Sequence, residues 1–262
     1  MQTLFLVLMF VLGAVFGSFL CCQARRLRLK EKGKKVKKTR SVCLHCNKKI
    51  KWYDNVPILS WLFLGGECRY CHKKIGLAEI ISELSLAIVF LSLGALFISM
   101  NDADFFSVEP MKWAVFVTAL LFILSLAFLA IYDGLYGELP VFMLIIATII
   151  AVILAVLEAW PEFTVMPILS AVLFGGIYLI LYLVSKGQWV GDGDWILAGA
   201  IGLALGHPWL SMVALFISNL SACIIMYPVV KNKKNHQIYF GPFLVFAFVI
   251  VYVFSDFLIS VI

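Results

Sequence analysis

Two pairs of cysteines are the first residues in this chain whose types and spacing could do chemistry. Cys43 and Cys46 form one Cys-x-x-Cys motif, and Cys68 and Cys71 form a second. Each motif presents two thiolates to one centre, and four thiolates complete a tetrahedral zinc site. Two disulfides are the alternative, and a reducing cytosol would disfavour them. The spacing therefore predicts zinc on these four sulfurs if the segment faces the cytoplasm.

Two aspartates form the second candidate centre. Asp133 ends one apolar run, and Asp194 begins another within the tetrapeptide Gly191-Asp192-Gly193-Asp194. Carboxylates at the edge of a membrane span are costly and usually functional. Two that meet can share a proton, so that one activates water and the other protonates a scissile carbonyl. Glycine–aspartate pairs also make ordinary turns, so the tetrapeptide alone leaves a plain turn or helix cap as an alternative.

The composition indicates that these residues are positioned by membrane helices. Hydrophobic residues make up 63% of the 262-residue chain and charged residues 14%, against about 45–50% and about 25% in soluble domains. The predicted spans are 4–22, 78–99, 113–132, 140–159, 165–185, 195–205, 209–227 and 238–262. A span needs about 20 residues, so 195–227 could instead be one broken helix. We therefore predict an all-α polytopic membrane protein with about eight transmembrane helices, or seven.

The basic residues predict the topology of the chain. All of its 21 lysines and arginines except Lys112 fall in segment 23–77 or in two later loops that alternation places on the same side. The positive-inside rule then puts both termini outside and the zinc-binding segment, with both aspartates, on the cytoplasmic side. Such a charge excess beside membrane spans favours contact with anionic lipid over nucleic acid. No internal repeat stands out.

Three parts of the chain are distinguished on this basis. Residues 1–22 form the first transmembrane helix, 23–77 a small basic cytoplasmic zinc-binding domain between helices 1 and 2, and 78–262 the remaining membrane domain that holds both aspartates.

Several motifs together resemble the type IV prepilin peptidase / N-methyltransferase family. The zinc-binding segments 40–46, 54–62 and 66–71 are similar to that family's cytoplasmic domain, and Gly17-Ser18-Phe19-Leu20 with Arg26 to its N-terminal motif. Asp133 stands seven residues before Pro140, and Gly191-x-Gly193-Asp194 matches the motif of the second catalytic aspartate. Glu83 matches a glutamate just after the zinc domain. Cys21 and Ile196 stand where the family usually has Asn and Lys.

The resemblance implies a bifunctional enzyme of the bacterial inner membrane. Asp133 and Asp194 would cut the basic leader of type IV prepilins or pseudopilins at the cytoplasmic face. The enzyme would then N-methylate the new N-terminus with S-adenosylmethionine, with Glu83 as a candidate for the methylation site. The methyltransferase activity would be associated with residues 23–77, and the aspartyl protease would occupy 78–262.

Three alternatives remain open from the residues. Tyr132-Asp133 also resembles a motif of presenilin-like proteins, which makes another GxGD intramembrane protease the nearest rival. A proton-coupled transporter could use the same two aspartates as a relay, in which case they should lie near the membrane midplane between inverted repeats. A zinc-stabilised assembly protein would need no catalysis at all.

Overall fold

The computed structural model describes residues 1–33, 41–43, 45–100, 108–162, 164–188, 190–232 and 239–260, without the side chains of 227–232. The α-helices in these ranges are α1 (Gln2–Glu31), α2 (Leu59–Phe63), α3 (Leu77–Ser99), α4 (Pro110–Tyr136), α5 (Val141–Ala159), α6 (Met166–Ser185), α7 (Asp194–Leu205), α8 (Pro208–Asn232), α9 (Gly241–Val253) and α10 (Ser255–Ser260). One 3-10 turn spans Trp52–Asn55, and no strand occurs in the described ranges beyond two isolated bridges. The fold is all-helical, as predicted.

Six of these helices are long and apolar enough to cross a membrane, and α7 and α9 are shorter apolar helices. The predicted count of eight apolar segments is therefore confirmed. The run 195–227 contains two helices, because Gly206 adopts a left-handed φ of +68° that ends α7 before α8 begins. The last predicted span is interrupted, since α9 ends at Val253 and α10 follows. The basic residues 34–40 and the loop 233–238 lie outside the description.

The chain divides into two compact units, Met1–Asp102 and Ala103–Ile262. In the first, α1 and α3 pack so closely that a Cβ on Gly13 or Gly17 would collide with backbone atoms of α3. Small residues allow this approach between membrane helices. By its packing, α3 belongs to the same unit as α1, whereas the division drawn from the sequence assigned 78–99 to the domain of the later helices.

The loop between α1 and α3 contains two copies of one small structure. In each, the residue after the second cysteine has a positive φ, 56° at Asn47 and 52° at His72. Its N–H donates to the first cysteine of its own copy at 2.9 Å, and an antiparallel bridge closes each turn. Residues 43–50 read CLHCNKKI and residues 68–75 read CRYCHKKI. The expectation that no internal repeat is present was therefore wrong, because the repeat is only eight residues long.

In the second unit the short helix α7 is central. It packs against α5, α6, α8 and α9, and its residues Leu197, Ala198 and Ile201 are fully buried. Ser170 of α6 donates to the carbonyl of Gly202 at 2.7 Å, so α6 and α7 are joined by a hydrogen bond in an apolar surrounding. A helix too short to span alone is thus enclosed by longer ones.

Candidate active site and metal centre

Asp133 lies in the last turn of α4 and is 5% exposed. The helix ends four residues later at Gly137, whose φ of +70° is left-handed and whose N–H donates to the Asp133 carbonyl at 2.7 Å. A Cβ on Gly137 would collide with the ring of Tyr239. The end of α4 is therefore shaped to receive the segment that leads into α9.

Asp194 is the first residue of α7 and is 6% exposed. Its Oδ2 accepts the N–H of Gly191 at 2.9 Å, and its own N–H donates to the Gly191 carbonyl at 3.2 Å. The carboxylate therefore sits at the positive end of the α7 dipole, where negative charge is favoured. The glycine-rich tetrapeptide folds back on its own aspartate.

A contact between loops brings the two aspartates together. A Cβ on Gly193 would lie only 2.9 Å from Cβ of Leu139, which follows Asp133 by six residues, and 3.0 Å from Leu144 of α5. Gly193 is thus required for the close approach of the α4–α5 connection to the residue just before Asp194. The close approach therefore places the end of α4 that carries Asp133 beside the start of α7 that carries Asp194.

A third residue completes this site, and the sequence did not indicate it. The N–H of Gly241, the first residue of α9, donates to Oδ2 of Asp133 at 2.9 Å. A Cβ at this position would lie 2.8 Å from that oxygen. The only signal in the sequence was Gly241-Pro242 at the start of an apolar run, which marks many ordinary helix starts.

Tyr178 of α6 lies beside both halves of the site. The side chain is almost fully buried, and its hydroxyl contacts Oγ of Ser218 at 3.4 Å and accepts from the Asn219 amide at 3.3 Å. Its ring stands 5.5 Å from that of Phe240, which precedes Gly241. Tyr178 also lies within electrostatic range of Asp194. Tyr178 therefore packs α6 against the residue that precedes α9.

The four cysteines converge in the first unit. All four Sγ atoms lie within 4.8 Å of one another, and those of Cys43 and Cys71 are 3.8 Å apart. Four sulfurs at about 2.3 Å from a tetrahedral zinc ion stand about 3.8 Å from each other. The sulfur cluster is therefore of the size that such an ion requires. His45 and His72 are exposed and are not part of the cluster.

The surroundings of Cys43 favour the thiolate that a metal requires. Burial opposes its ionisation, but the backbone N–H groups of Cys46 and His45 point at the sulfur and lower the pKa of Cys43 to about 7. The N–H of His45 stands 3.5 Å from this sulfur.

Comparisons with known proteins identify the family. One family model, described as the bacterial peptidase A24 N-terminal domain, matches residues 11–97, and a second, described as the type IV leader peptidase family, matches 120–227. A prepilin leader peptidase/N-methyltransferase of Vibrio cholerae serotype O1 is 28% identical over 96% of this chain and 98% of its own length. A type 4 prepilin-like proteins leader peptide-processing enzyme of Escherichia coli O78:H11 is 30% identical over 78% of this chain and 71% of its own. The chain belongs to the type IV leader peptidase family.

This membership confirms the resemblance drawn from the motifs. A relative from Pseudomonas aeruginosa, also named prepilin leader peptidase/N-methyltransferase, is 25% identical over 79% of this chain and 69% of its own. No solved structure matches the chain. As a leader peptidase family member, the chain is a multi-pass protein of the inner membrane, and a transporter is not favoured.

Glu83 is the residue that the family resemblance associates with methylation. It belongs to the first unit, whereas Asp133 and Asp194 belong to the second. Its side chain is buried in α3, and its Oε2 accepts the N–H of Ile58 at 2.7 Å. Ser18 contacts the same carboxylate. Two residues of the N-terminal motif thus contribute to the packing of α1 on α3. Gly17 allows the close approach of the helices, and Ser18 contacts Glu83.

Proposed function

We propose that this protein removes the leader peptide of type IV prepilins or pseudopilins and N-methylates the new N-terminus. The observation that carries the proteolytic half is the buried Asp133–Asp194 pair, in which each carboxylate is held by one glycine N–H. Membership of a family of leader peptidases supports the choice of substrate.

Asp133 and Asp194 would act as acid and base on the scissile peptide. One carboxylate takes a proton from water as the water oxygen attacks the carbonyl carbon, and its protonated partner donates to the carbonyl oxygen. Collapse of the tetrahedral species then breaks the C–N bond: the amine leaves with the proton that the first carboxylate took from water, and the second carboxylate recovers its proton as the carbonyl re-forms. Because Gly191 and Gly241 each bind Oδ2 of one aspartate, the Oδ1 atoms are the ones offered to water and substrate.

Two exposed acids would guide the basic leader. Glu138 stands between the end of α4 and the start of α5, and Asp192 occupies the variable position of the tetrapeptide. Each is within a few residues of a catalytic aspartate, so a positively charged leader would be attracted to the cytoplasmic mouth of the site.

The metal of the first unit is proposed to be zinc, held by Cys43, Cys46, Cys68 and Cys71. The donor set consists of four thiolates, which leaves no open position, so the ion would stabilise the fold of the loop and take no part in a reaction. Loss of the ion would unfold the loop, because binding energy of such a site is folding energy.

The methylation half is assigned to the first unit, chiefly to residues 23–77 with Glu83. S-adenosylmethionine supplies a methyl group on a sulfonium cation, and the new pilin N-terminus is an amine that is cationic until it loses a proton. A buried carboxylate suits a cation, and Glu83 has one oxygen beyond the one that Ile58 engages. Proteolysis would be carried by the second unit, which comprises Ala103–Ile262 of the segment 78–262 that the sequence assigned to the protease.

We further propose that both termini lie outside, that loop 23–77 faces the cytoplasm and that this loop contacts anionic lipid rather than nucleic acid. The distribution of lysine and arginine supports this orientation.

A cleavage assay tests the proposal directly. The purified protein is incubated with a synthetic prepilin-like peptide that carries a basic leader and an apolar helix, with and without S-adenosylmethionine. We expect one cut at the leader junction and, with the methyl donor, a product heavier by one methyl group. An uncut peptide in the presence of a folded, metal-loaded protein would refute the function.

A further inference from the structure

The short helix α2 exposes an apolar face that nothing in the described part of the first unit covers. Its residues Leu59, Leu62 and Phe63 are 52%, 60% and 86% exposed. Three large apolar side chains on five consecutive residues form a patch that water solvates poorly, and such patches mark interaction surfaces.

The opposite side of α2 is fixed to the metal-binding loop. The ring of Trp61 lies against Gly66, where an added Cβ would stand 2.9 Å from a ring carbon. Gly66 lies two residues before Cys68 of the second copy and has a φ of +72°. Because Trp61 is held there, the side chains of Leu62 and Phe63 point away from the loop.

A hydrogen bond sets the level of α2 relative to the membrane. The N–H of Ile58, immediately before α2, donates to Oε2 of Glu83 at 2.7 Å. Glu83 is six residues into α3, which places it about 9 Å along that helix. Since α3 is a membrane span by length and hydropathy, α2 begins beside the span and not beyond its end.

The neighbouring surface of α3 is also apolar and exposed. Leu77, Ile81 and Leu84 occupy its first two turns on a face that does not meet α1. Exposed apolar side chains on a spanning helix face lipid. The apolar face of α2 therefore lies at the same depth as side chains that contact the hydrocarbon edge.

Five exposed lysines belong to the same loop as α2. They lie within the two cysteine copies and just before the 3-10 turn, and comprise Lys48, Lys49, Lys51, Lys73 and Lys74. Apolar side chains flanked by lysines are the pattern of segments that lie in the interface of a membrane with anionic lipids.

We propose that α2 is an interfacial anchor: Leu59, Leu62 and Phe63 insert between the headgroups and acyl chains of the adjacent leaflet, while the lysines bind anionic lipid phosphates. The inference rests on the lipid contact proposed above and deepens it, since it names the residues and the depth. It does not depend on the catalytic assignment of the aspartates.

Photocrosslinking in a defined bilayer tests the anchor. The full chain carries p-benzoylphenylalanine in place of Phe63 or, as a matched control, of Tyr70, an exposed aromatic residue on the second cysteine copy with Lys48 above its ring. Each protein is reconstituted in nanodiscs of phosphatidylethanolamine and phosphatidylglycerol, irradiated and analysed by mass spectrometry. We expect phospholipid adducts at position 63 at several times the yield at position 70.

The outcomes separate lipid from protein partners. Adducts from position 63 to this chain's second unit or to an added prepilin, or a lipid yield no higher than at position 70, would overturn the anchor. Nanodiscs of phosphatidylcholine alone should lower the lipid yield at position 63, and an unchanged yield would refute the role of the lysines. Peptide cleavage and metal content of the same labelled proteins are measured in parallel, so that active, metal-loaded protein without lipid adducts refutes the anchor alone.

Discussion

The backbone N–H of Gly241 donates a 2.9 Å hydrogen bond to Oδ2 of Asp133, across 108 residues of chain. The bond ties the start of α9 to the last turn of α4 and fixes one oxygen of the carboxylate. The approach leaves no room for a side chain, since a Cβ on Gly241 would lie 2.8 Å from the same oxygen.

Gly241→Ala is expected to lower leader cleavage by about 100-fold, because displacement of a catalytic group by about 1 Å can cost that much. The matched control is Gly134→Ala, one residue after Asp133 on α4. A Cβ there meets nothing closer than 3.6 Å, and alanine should stabilise the helix by about 0.5–1 kcal/mol. Initial rates on the prepilin-like peptide compare the two; equal rates would contradict the positioning role of Gly241.

Asp133→Asn and Asp194→Asn are each expected to reduce cleavage by at least about 100-fold to 10,000-fold, the range for loss of general acid–base catalysis. Asparagine keeps the shape and can cap a helix as well as aspartate does, so a capping role predicts active variants. Asp192→Asn, at the exposed variable position, should retain most of the rate. Full leader removal by well-expressed Asp194→Asn protein would end the aspartyl-protease hypothesis.

Cys68→Ser is expected to strip the metal and unfold the loop between α1 and α3. Structural zinc contributes about 10–16 kcal/mol of binding free energy in small zinc domains, which is more than such a loop has in reserve. Elemental analysis and limited proteolysis of the purified protein measure both effects. Cys223→Ser removes an exposed cysteine of α8 and should change neither; wild-type protein without bound metal would refute the site.

Gly17→Ala is expected to destabilise the α1–α3 pair by about 1–3 kcal/mol, the usual cost of overpacking. Its Cβ would collide with backbone atoms of Ser82 and Glu83. We expect methylation to fall more than cleavage, because the aspartates lie on other helices. Gly176→Ala is the control, since a Cβ there meets no atom within 4 Å. Thermal unfolding in detergent, with both activities, tests the contrast, and equal behaviour of the two variants would count against it.

Reporter fusions test the proposed orientation. Fusions within 23–77 and 186–193 should report the cytoplasm, and fusions within 158–164 the outside, because lysine and arginine are retained on the cytoplasmic side. The same experiment covers 101–111 and 229–236, parts of which lie outside the described residues. A cytoplasmic signal from 101–111 would place Asp133 and Asp194 on opposite sides and exclude their joint action.

The sequence predicted the apolar helices and the cysteine cluster because each leaves a strong local signal, whereas the role of the two aspartates stays a prediction. Apolar runs of span length identify membrane helices, and two Cys-x-x-Cys motifs indicate that their four sulfurs share one metal centre. Gly241 was missed because its contribution is a backbone N–H, which every residue except proline possesses. Helix ends were also misplaced: α1 continues to Glu31, since arginine and lysine are good helix formers outside the apolar run.

The contact of Gly193 with Leu139 shows a different limit. Neither residue type suggests a pairing, and the approach depends on packing of α5 against both α4 and α7. Such a juxtaposition requires the tertiary structure, whereas the predicted topology places the two aspartates only on the same side of the membrane.

The eight-residue match between 43–50 and 68–75 is what tandem duplication of a single metal-binding turn would leave. Each copy supplies two sulfurs through the same backbone pattern, so the ion would be held about an approximate two-fold axis. The two turns are then equivalent, and the connector between them is the part of the loop that is not repeated. That connector holds Asp54, whose carboxylate binds Arg69 of the second copy, and the helix that contains Trp61. Because segment 54–62 of that connector resembles the family's cytoplasmic domain as the two turns do, both parts of the loop should vary little among relatives.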